Sequence, residues 1–205
     1  MGLDHGWFGH FHAGGIPGRG TTDLALAFQQ ICRRNLARGG YKTAATLMDI
    51  KGAFNAARVT PMMNAMQEIN VPKALMAWTA DFMSNRTLHP RRQGVYGTSF
   101  TAKEGLPQGS PVSPVLFSIL LSGITRALPD QIMIYADDIL IICKSSNHGK
   151  GKARFPVLQR TIDFLLRELD RRNLQIEDSK TELWVYRGYN VRVRGPPSAS
   201  KRMTP

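Results

Sequence analysis

Hydrophobic positions along the 205-residue chain follow two rhythms, one helical and one alternating. Leu24, Ala27, Phe28 and Ile31 recur at the helical period. They predict a helix from Thr21 or Thr22, either of which would cap it, to about Arg38, with Gly39-Gly40 ending it. The run Thr43 to Asp49 reads as a strand that ends in a carboxylate. Thr60-Pro61 sets a capping hydroxyl before a proline at the first helical position, and the helix should reach Ile69 with Met62, Met63 and Met66 in the core. A further helix spans Pro72 to Phe82, and Tyr96 to Lys103 reads as extended. Val115 to Leu128 is apolar enough to be a buried helix, with Ser113 as cap and Pro129 as stop. Gln131 to Ile134 and Ile139 to Ile142 are short and β-branched, so both read as strands of one hairpin. Phe155 to Arg172 returns to the helical rhythm and Glu182 to Tyr186 to the strand rhythm.

After the opening helix the order is β-α-α-β-α-β-β-α-β. This predicts an α+β fold, an antiparallel sheet backed by helices. No internal repeat appears. Asn147 to Lys152 is polar and reads as a mobile loop. From Gly188 the periodicity dissolves, and residues 188–205 read as a disordered basic tail. The Gly-rich opening, Gly6 to Gly20, holds His10 and His12 and follows His5. It reads as a loosely held terminus, with a three-histidine metal site as the competing reading.

Charge narrows the class of partner. Lys and Arg number 27 against 15 Asp and Glu, a net charge of +12, which points to a polyanion. The cations lie in scattered clusters, Arg33-Arg34, Arg86 with Arg91-Arg92, Lys144 to Arg154, and Arg171-Arg172, as suits a surface that follows a nucleic-acid backbone. Cys32 and Cys143 are too few for a disulfide framework and sit among apolar neighbours, as buried thiols of a reducing compartment do. No apolar run approaches the roughly 18 residues that span a bilayer, and Met1 to His5 lacks a signal peptide's basic start.

Candidate chemistry centres on Tyr135-Ala136-Asp137-Asp138, which puts two carboxylates at the tip of the predicted hairpin. Adjacent carboxylates repel and raise each other's pKa, and a hard divalent cation such as Mg²⁺ relieves that cost. Asp-Asp alone is ordinary turn chemistry. Two other segments join it. Thr46 to Asn55 runs from a strand into Asp49 and then turns at Gly52. Gly105 to Pro114 is a Gly/Pro/Ser loop that either brings backbone to a nucleotide or only starts the next helix.

Together the segments resemble the reverse transcriptase palm, and within it the non-LTR, LINE-like retrotransposon enzymes. The residues are Met48-Asp49-Ile50-Lys51-Gly52-Ala53-Phe54, Ser84-Asn85-Arg86, Gly105-Leu106-Pro107-Gln108-Gly109-Ser110-Pro111 with Ser113-Pro114, and Tyr135-Ala136-Asp137-Asp138-Ile139. Gly15-Ile16-Pro17-Gly18-Arg19-Gly20-Thr21-Thr22-Asp23 upstream, and Leu174 with Lys180-Thr181-Glu182 downstream, extend the likeness from about Gly15 to Arg187 in the family's order.

The resemblance implies RNA-directed DNA polymerase activity on a palm with part of the fingers: residues 1–20 as a partial fingers region, 21–187 as palm and fingers, 188–205 as tail. It implies a primer 3′-OH attacking the α-phosphate of a nucleoside triphosphate, with two Mg²⁺ ions, or Mn²⁺ in their place, on Asp49, Asp137 and Asp138. Phe54 falls where the family sets an aromatic against the sugar 2′ position; apart from the resemblance it reads more readily as a core filler. Gln108, Gly109 and Tyr135 would line the nucleotide. Lys180 would approach the triphosphate or simply be an exposed turn lysine, and Arg19 either touches template phosphate or is an exposed turn arginine. Arg86 would touch nucleic acid. The implied partners are RNA template, DNA primer and deoxynucleoside triphosphates, with no membrane. The implied compartment is intracellular, the nucleus for a eukaryotic element. Asn55 stands where an aspartate often follows the aromatic. The family's upstream triphosphate grip, thumb, endonuclease and zinc knuckle have no counterpart here, so the chain is expected to be part of a longer polyprotein. The competing readings are an inactive basic nucleic-acid-binding fragment, a group II intron-type enzyme, and an RNA-dependent RNA polymerase, whose Gly-Asp-Asp differs from Ala136-Asp137-Asp138.

Overall fold

The computed structural model describes residues 6–38, 41–84, 86–128, 130–148 and 154–186. In chain order the elements are β1 (His12–Ala13), α1 (Thr21–Ala37), β2 (Tyr41–Asp49), α2 (Ala53–Ala56), α3 (Val59–Glu68) and α4 (Lys73–Met83). They continue with β3 (Arg86–Leu88), β4 (Arg91–Arg92), β5 (Val95–Tyr96), β6 (Phe100–Ala102), α5 (Ser113–Ala127), β7 (Ile132–Tyr135), β8 (Asp138–His148) and α6 (Pro156–Asp170). A 3₁₀ turn (Asp178–Lys180) precedes β9 (Glu182–Tyr186).

Five strands form the main sheet in the order β1-β7-β8-β2-β9. All its pairings are antiparallel except β1 with β7, which is parallel. Alternation of side chains explains how it packs. Ile132, Ile134, Ile139 and Ile141 are fully buried and share one face. They meet Leu120, Leu121 and Ile124 of α5 and Leu158, Ile162 and Leu165 of α6 in the core. Each such isoleucine stabilises the fold by roughly 1.5–3 kcal/mol relative to exposure. The positions between them point to the other face: Thr43, Ala45, Leu47 and Asp49 on β2, and Asp138, Leu140 and Ile142 on β8.

Helix α1 covers only one end of that second face. Asn35 Nδ2 donates to Thr43 Oγ1 (3.0 Å), and Phe28 meets Trp184, which lies opposite Ala45, at 5.9 Å between ring centroids. The end that carries Asp49 and Asp138 stays open, with Leu47 beside it 47% exposed. Both cysteines are buried free thiols, and burial pushes Cys143 up to about 11. No helix among the described residues is long and apolar enough to cross a membrane.

Several expectations need correction. The Gly-rich opening is not loose. His12 and Ala13 are fully buried, and the segment lies as a strap along β7. Gly9, Gly14 and Gly15 do not signal flexibility here; they allow backbone to approach backbone. A Cβ on Gly14, at φ +82°, would stand 2.4 Å from Ala136 N. Nor does His12 join a histidine metal site: its Nδ1 is paired with Thr125 Oγ1 at 3.0 Å, and His5 lies outside the described residues. The cap of α1 is Gly20, whose N–H donates to Asp23 Oδ2 (2.7 Å), not a threonine. Helix α3 begins before Thr60, so Pro61 sits within its first turn. Ser113 is the first residue of α5, not its cap, and its hydroxyl donates to Pro107 O (2.7 Å). The extended reading of Tyr96 to Lys103 divides between β5 and β6. Of the polar loop, Asn147 and His148 end β8; 149–152 and the tail from Gly188 lie outside the described residues.

Candidate active site

Asp49 ends β2 because the chain must turn there, and Gly52 at φ +55° makes the turn into α2. Across the sheet Asp49 lies directly opposite Asp138, and Asp138 opposite Tyr135. Directly opposed residues share a face, so Tyr135, Asp138 and Asp49 form one row over three strands at the open end. Asp137 occupies the turn between β7 and β8 with Ala136.

That turn is strained and held. Ala136 has φ +53°, a left-handed conformation that a Cβ disfavours by about 1–2 kcal/mol. Ile50 N–H donates to Asp137 O (3.2 Å) and Ala136 N–H donates to Ala13 O (3.4 Å). The end of β2 and the N-terminal strap thus pin Ala136 and Asp137, the two residues of the turn.

The third wall comes from residues 174–180. Lys51 N–H donates to Gln175 O and Glu177 N–H to Asp49 O, both at 2.8 Å. This pairing delivers Lys180, whose Nζ lies 2.6 Å from Asp49 Oδ2. Hydrogen bonding to Asp49 raises the Lys180 pKa, so it stays a cation. Asp138 is held above the usual carboxylate range by partial desolvation and then by Asp137 and Asp49, with Lys180 pulling the other way. Among the described residues no three His, Cys, Asp or Glu side chains already converge on a metal-sized site.

Phe54 stacks on Phe117 (5.3 Å, 20° between planes), and Phe117 is buried in α5. Phe54 is itself half-buried, with its ring packed on the core. The Gly105 loop is fastened to α2, with Leu106 N–H donating to Phe54 O (2.7 Å) and Gly105 N–H to Ala57 O (2.9 Å). Gln108 and Gly109 stand exposed at its tip, and Gly109 has φ +88°. The two arginines expected on nucleic acid both donate to backbone carbonyls. Arg19 Nη1 donates to Gly9 O (2.7 Å) and His12 O (3.1 Å), closing the strap. Arg86 Nη2 donates to Glu104 O and Gly105 O, both at 2.7 Å.

Three features of the site escaped sequence reasoning. Gly14 lets the strap reach Ala136, Arg58 forms an ion pair with Glu104 at the start of the Gly105 loop, and Leu47 floors the open face. Only Leu47 carried a signal, since strand alternation from Asp49 puts it on the carboxylate side.

A family model described as reverse transcriptase (RNA-dependent DNA polymerase) matches residues 6–200. The retrovirus-related Pol polyprotein from type-2 retrotransposable element R2DM of Drosophila melanogaster is 22% identical over 163 residues, 74% of this chain; the chain spans 15% of that polyprotein's length. Apo telomerase from Candida tropicalis, truncated from its C-terminal domain, superposes with TM-score 0.61 at 12% identity, over 95% of this chain and 41% of that one. Telomerase from the same organism in complex with a TWJ fragment of telomeric RNA gives 0.64 at 11% identity, over 86% and 30%. At these identities the structural likeness shows the fold, a polymerase palm with fingers. The family match runs through the strap, the carboxylate row and the Lys180 turn alike, and the chain belongs to the reverse transcriptase (RNA-dependent DNA polymerase) family.

Proposed function

We propose that the chain is the nucleotidyl-transfer domain of a non-LTR retroelement reverse transcriptase, extending a DNA primer on an RNA template with deoxynucleoside triphosphates. The observation that carries this is the row Tyr135, Asp138 and Asp49 at the open end of the sheet, with Asp137 in the adjoining turn. The similarity to the R2DM polyprotein favours a non-LTR element over a group II intron-type enzyme.

The donor set suits a hard divalent cation. It offers carboxylate oxygens from two segments, and desolvation together with Asp137 and Asp49 raises the pKa of Asp138, a cost that a bound cation would relieve. Asp49, Asp137 and Asp138 would hold two Mg²⁺, or Mn²⁺ in their place. Such ions, when bound, activate a primer 3′-OH and neutralise the charge that builds on the transferred phosphate. The side chains divide the remaining work. Lys180, kept protonated by Asp49, would turn toward the triphosphate and give a proton to leaving pyrophosphate. Phe54, backed by Phe117, closes the space that a ribose 2′-OH needs. Gln108 and Gly109, on a loop fastened to the Phe54 backbone, and Tyr135, in the carboxylate row, flank the nucleotide.

One observation favours a second reading, a basic nucleic-acid-binding module without catalysis: Asp49 is already ion-paired with Lys180. Incorporation of one labelled deoxynucleotide on a primed RNA separates the two. Incorporation in Mg²⁺ that EDTA abolishes is expected of the polymerase. RNA binding that is equally strong in EDTA, without incorporation in Mg²⁺, is expected of the module.

A further inference from the structure

Between α4 and the Gly105 loop, the chain leaves the domain as a narrow two-stranded arm. Strand β3 pairs with β6 at its base and β4 with β5 at its tip. Gln93 and Gly94, at φ +50° and +85°, make the reversal, as a two-residue hairpin turn with the sheet's own twist requires. Gly97 N–H donates to Pro90 O (2.8 Å) between the two ladders.

The arm's surface is unlike the rest of the domain. Among described positions, every residue from Thr87 to Thr101 is exposed. Val95 is 72% exposed, Tyr96 66% and Phe100 56%. Residues 86–103 hold Arg86, Arg91, Arg92 and Lys103 and no Asp or Glu. Arg91 lies opposite Tyr96, its guanidinium carbon 5.4 Å from the ring centroid. An isolated two-stranded ribbon is marginally stable in water, and exposed rings gain nothing from solvent. Both facts call for a partner that covers the arm.

We infer that this arm binds single-stranded nucleic acid, and in the polymerase reading, on which the assignment of the strand rests, it guides the unpaired RNA template. Charge selects a polyanion: cations without a single acid suit phosphates and are the wrong core for an ordinary protein interface, where charge is depleted. The rings select unpaired bases, because Tyr96 and Phe100 offer faces on which a base can stack, and duplex bases are already stacked. Position links the arm to the site. Arg86, at its base, donates to Glu104 O and Gly105 O. The loop so held carries Gln108 and is pinned to the Phe54 backbone. A strand lying on the arm therefore reaches the wall where the nucleotide is proposed to sit.

The test is fluorescence anisotropy with the full chain and a labelled oligouridine, in EDTA and without nucleotide, across a series of KCl concentrations. Removing two phosphate contacts by Arg91→Ala with Arg92→Ala should lower the slope of log K against log salt by about 1.4. Arg91→Lys with Arg92→Lys should restore most of it. Tyr96→Ala with Phe100→Ala should weaken binding at least fivefold with the slope unchanged, and should leave binding to a blunt duplex of the same length unaltered. Three results would overturn the inference: an unchanged slope in the arginine variant, wild-type affinity in the ring variant, or equal losses on single strand and duplex. Circular dichroism checks that each variant is folded. A chain that binds through the arm but never incorporates nucleotide would refute the polymerase reading and leave this one standing.

Discussion

His12 makes the account testable through pH. Its ring is fully buried, edge-on to Phe8 (5.1 Å between centroids). Thr125 Oγ1 already donates to Ser122 O (3.1 Å) and accepts from Gly9 N–H (3.3 Å), so the proton on the His12–Thr125 bond belongs to His12 Nδ1. Nε2 is left bare and buried without a partner. Burial first, and then the Arg19 guanidinium, lower the His12 pKa from 6.5 to about 3. Unfolding restores the ordinary value, so below about pH 6.5 the unfolded chain binds a proton that the folded chain refuses. Stability is fully present above that pH and falls as the pH drops, at up to about 1.4 kcal/mol per unit, levelling only near the folded pKa. From pH 6.5 to 5 the loss is about 2 kcal/mol, a large part of a domain's total of roughly 5–15. The assay is urea unfolding of wild type and His12→Asn at pH 5, 6, 7 and 8. Asparagine keeps a donor for Thr125 Oγ1 and does not titrate, so the difference between the two isolates His12 from the carboxylates. The difference should shrink as the pH falls, because only the wild type pays the protonation penalty. Parallel pH profiles would refute the reasoning, as would a titration of His12 above pH 6 in the folded chain.

Two further predictions concern the walls of the site. Gly14→Ala puts a Cβ against Ala136 N at a positive φ; it should cost about 2–4 kcal/mol by denaturant unfolding, and a loss under 0.5 kcal/mol would mean the strap is not held as described. Phe54→Val should raise incorporation of ribonucleotides relative to deoxynucleotides by about tenfold or more, since the ring's bulk is removed and Phe117 stays buried behind it; an unchanged ratio in single-turnover incorporation would show that Phe54 only fills the core.

Much of this was legible in the sequence, for physical reasons that differ by element. The β7–β8 hairpin could be read because β-branched runs on both sides of Asp137-Asp138 have no helical alternative of that length. Strand β9, Glu182–Tyr186, was read to the residue, and the six described helices include all five that were expected, within a few residues at each end. The direct opposition of Asp49 and Asp138 could not be read, because it is a register between strands 89 positions apart and is fixed only by packing. The strap failed for a different reason. Gly-rich sequence is compatible with both disorder and close backbone approach, and only the presence of Ala136 opposite Gly14 decides between them. Arg19 and Arg86 likewise look like free cations until the carbonyls they fasten are in view.

The most direct test of the central claim is extension of a DNA primer on an RNA template by the wild-type chain in Mg²⁺, beside Asp137→Asn. The variant removes one carboxylate charge and leaves the Asp137 backbone carbonyl that receives Ile50 N–H. The account predicts extension by the wild type and its loss by a factor of at least about a thousand in a variant whose unfolding midpoint is little changed. Equal extension by the two proteins would contradict it.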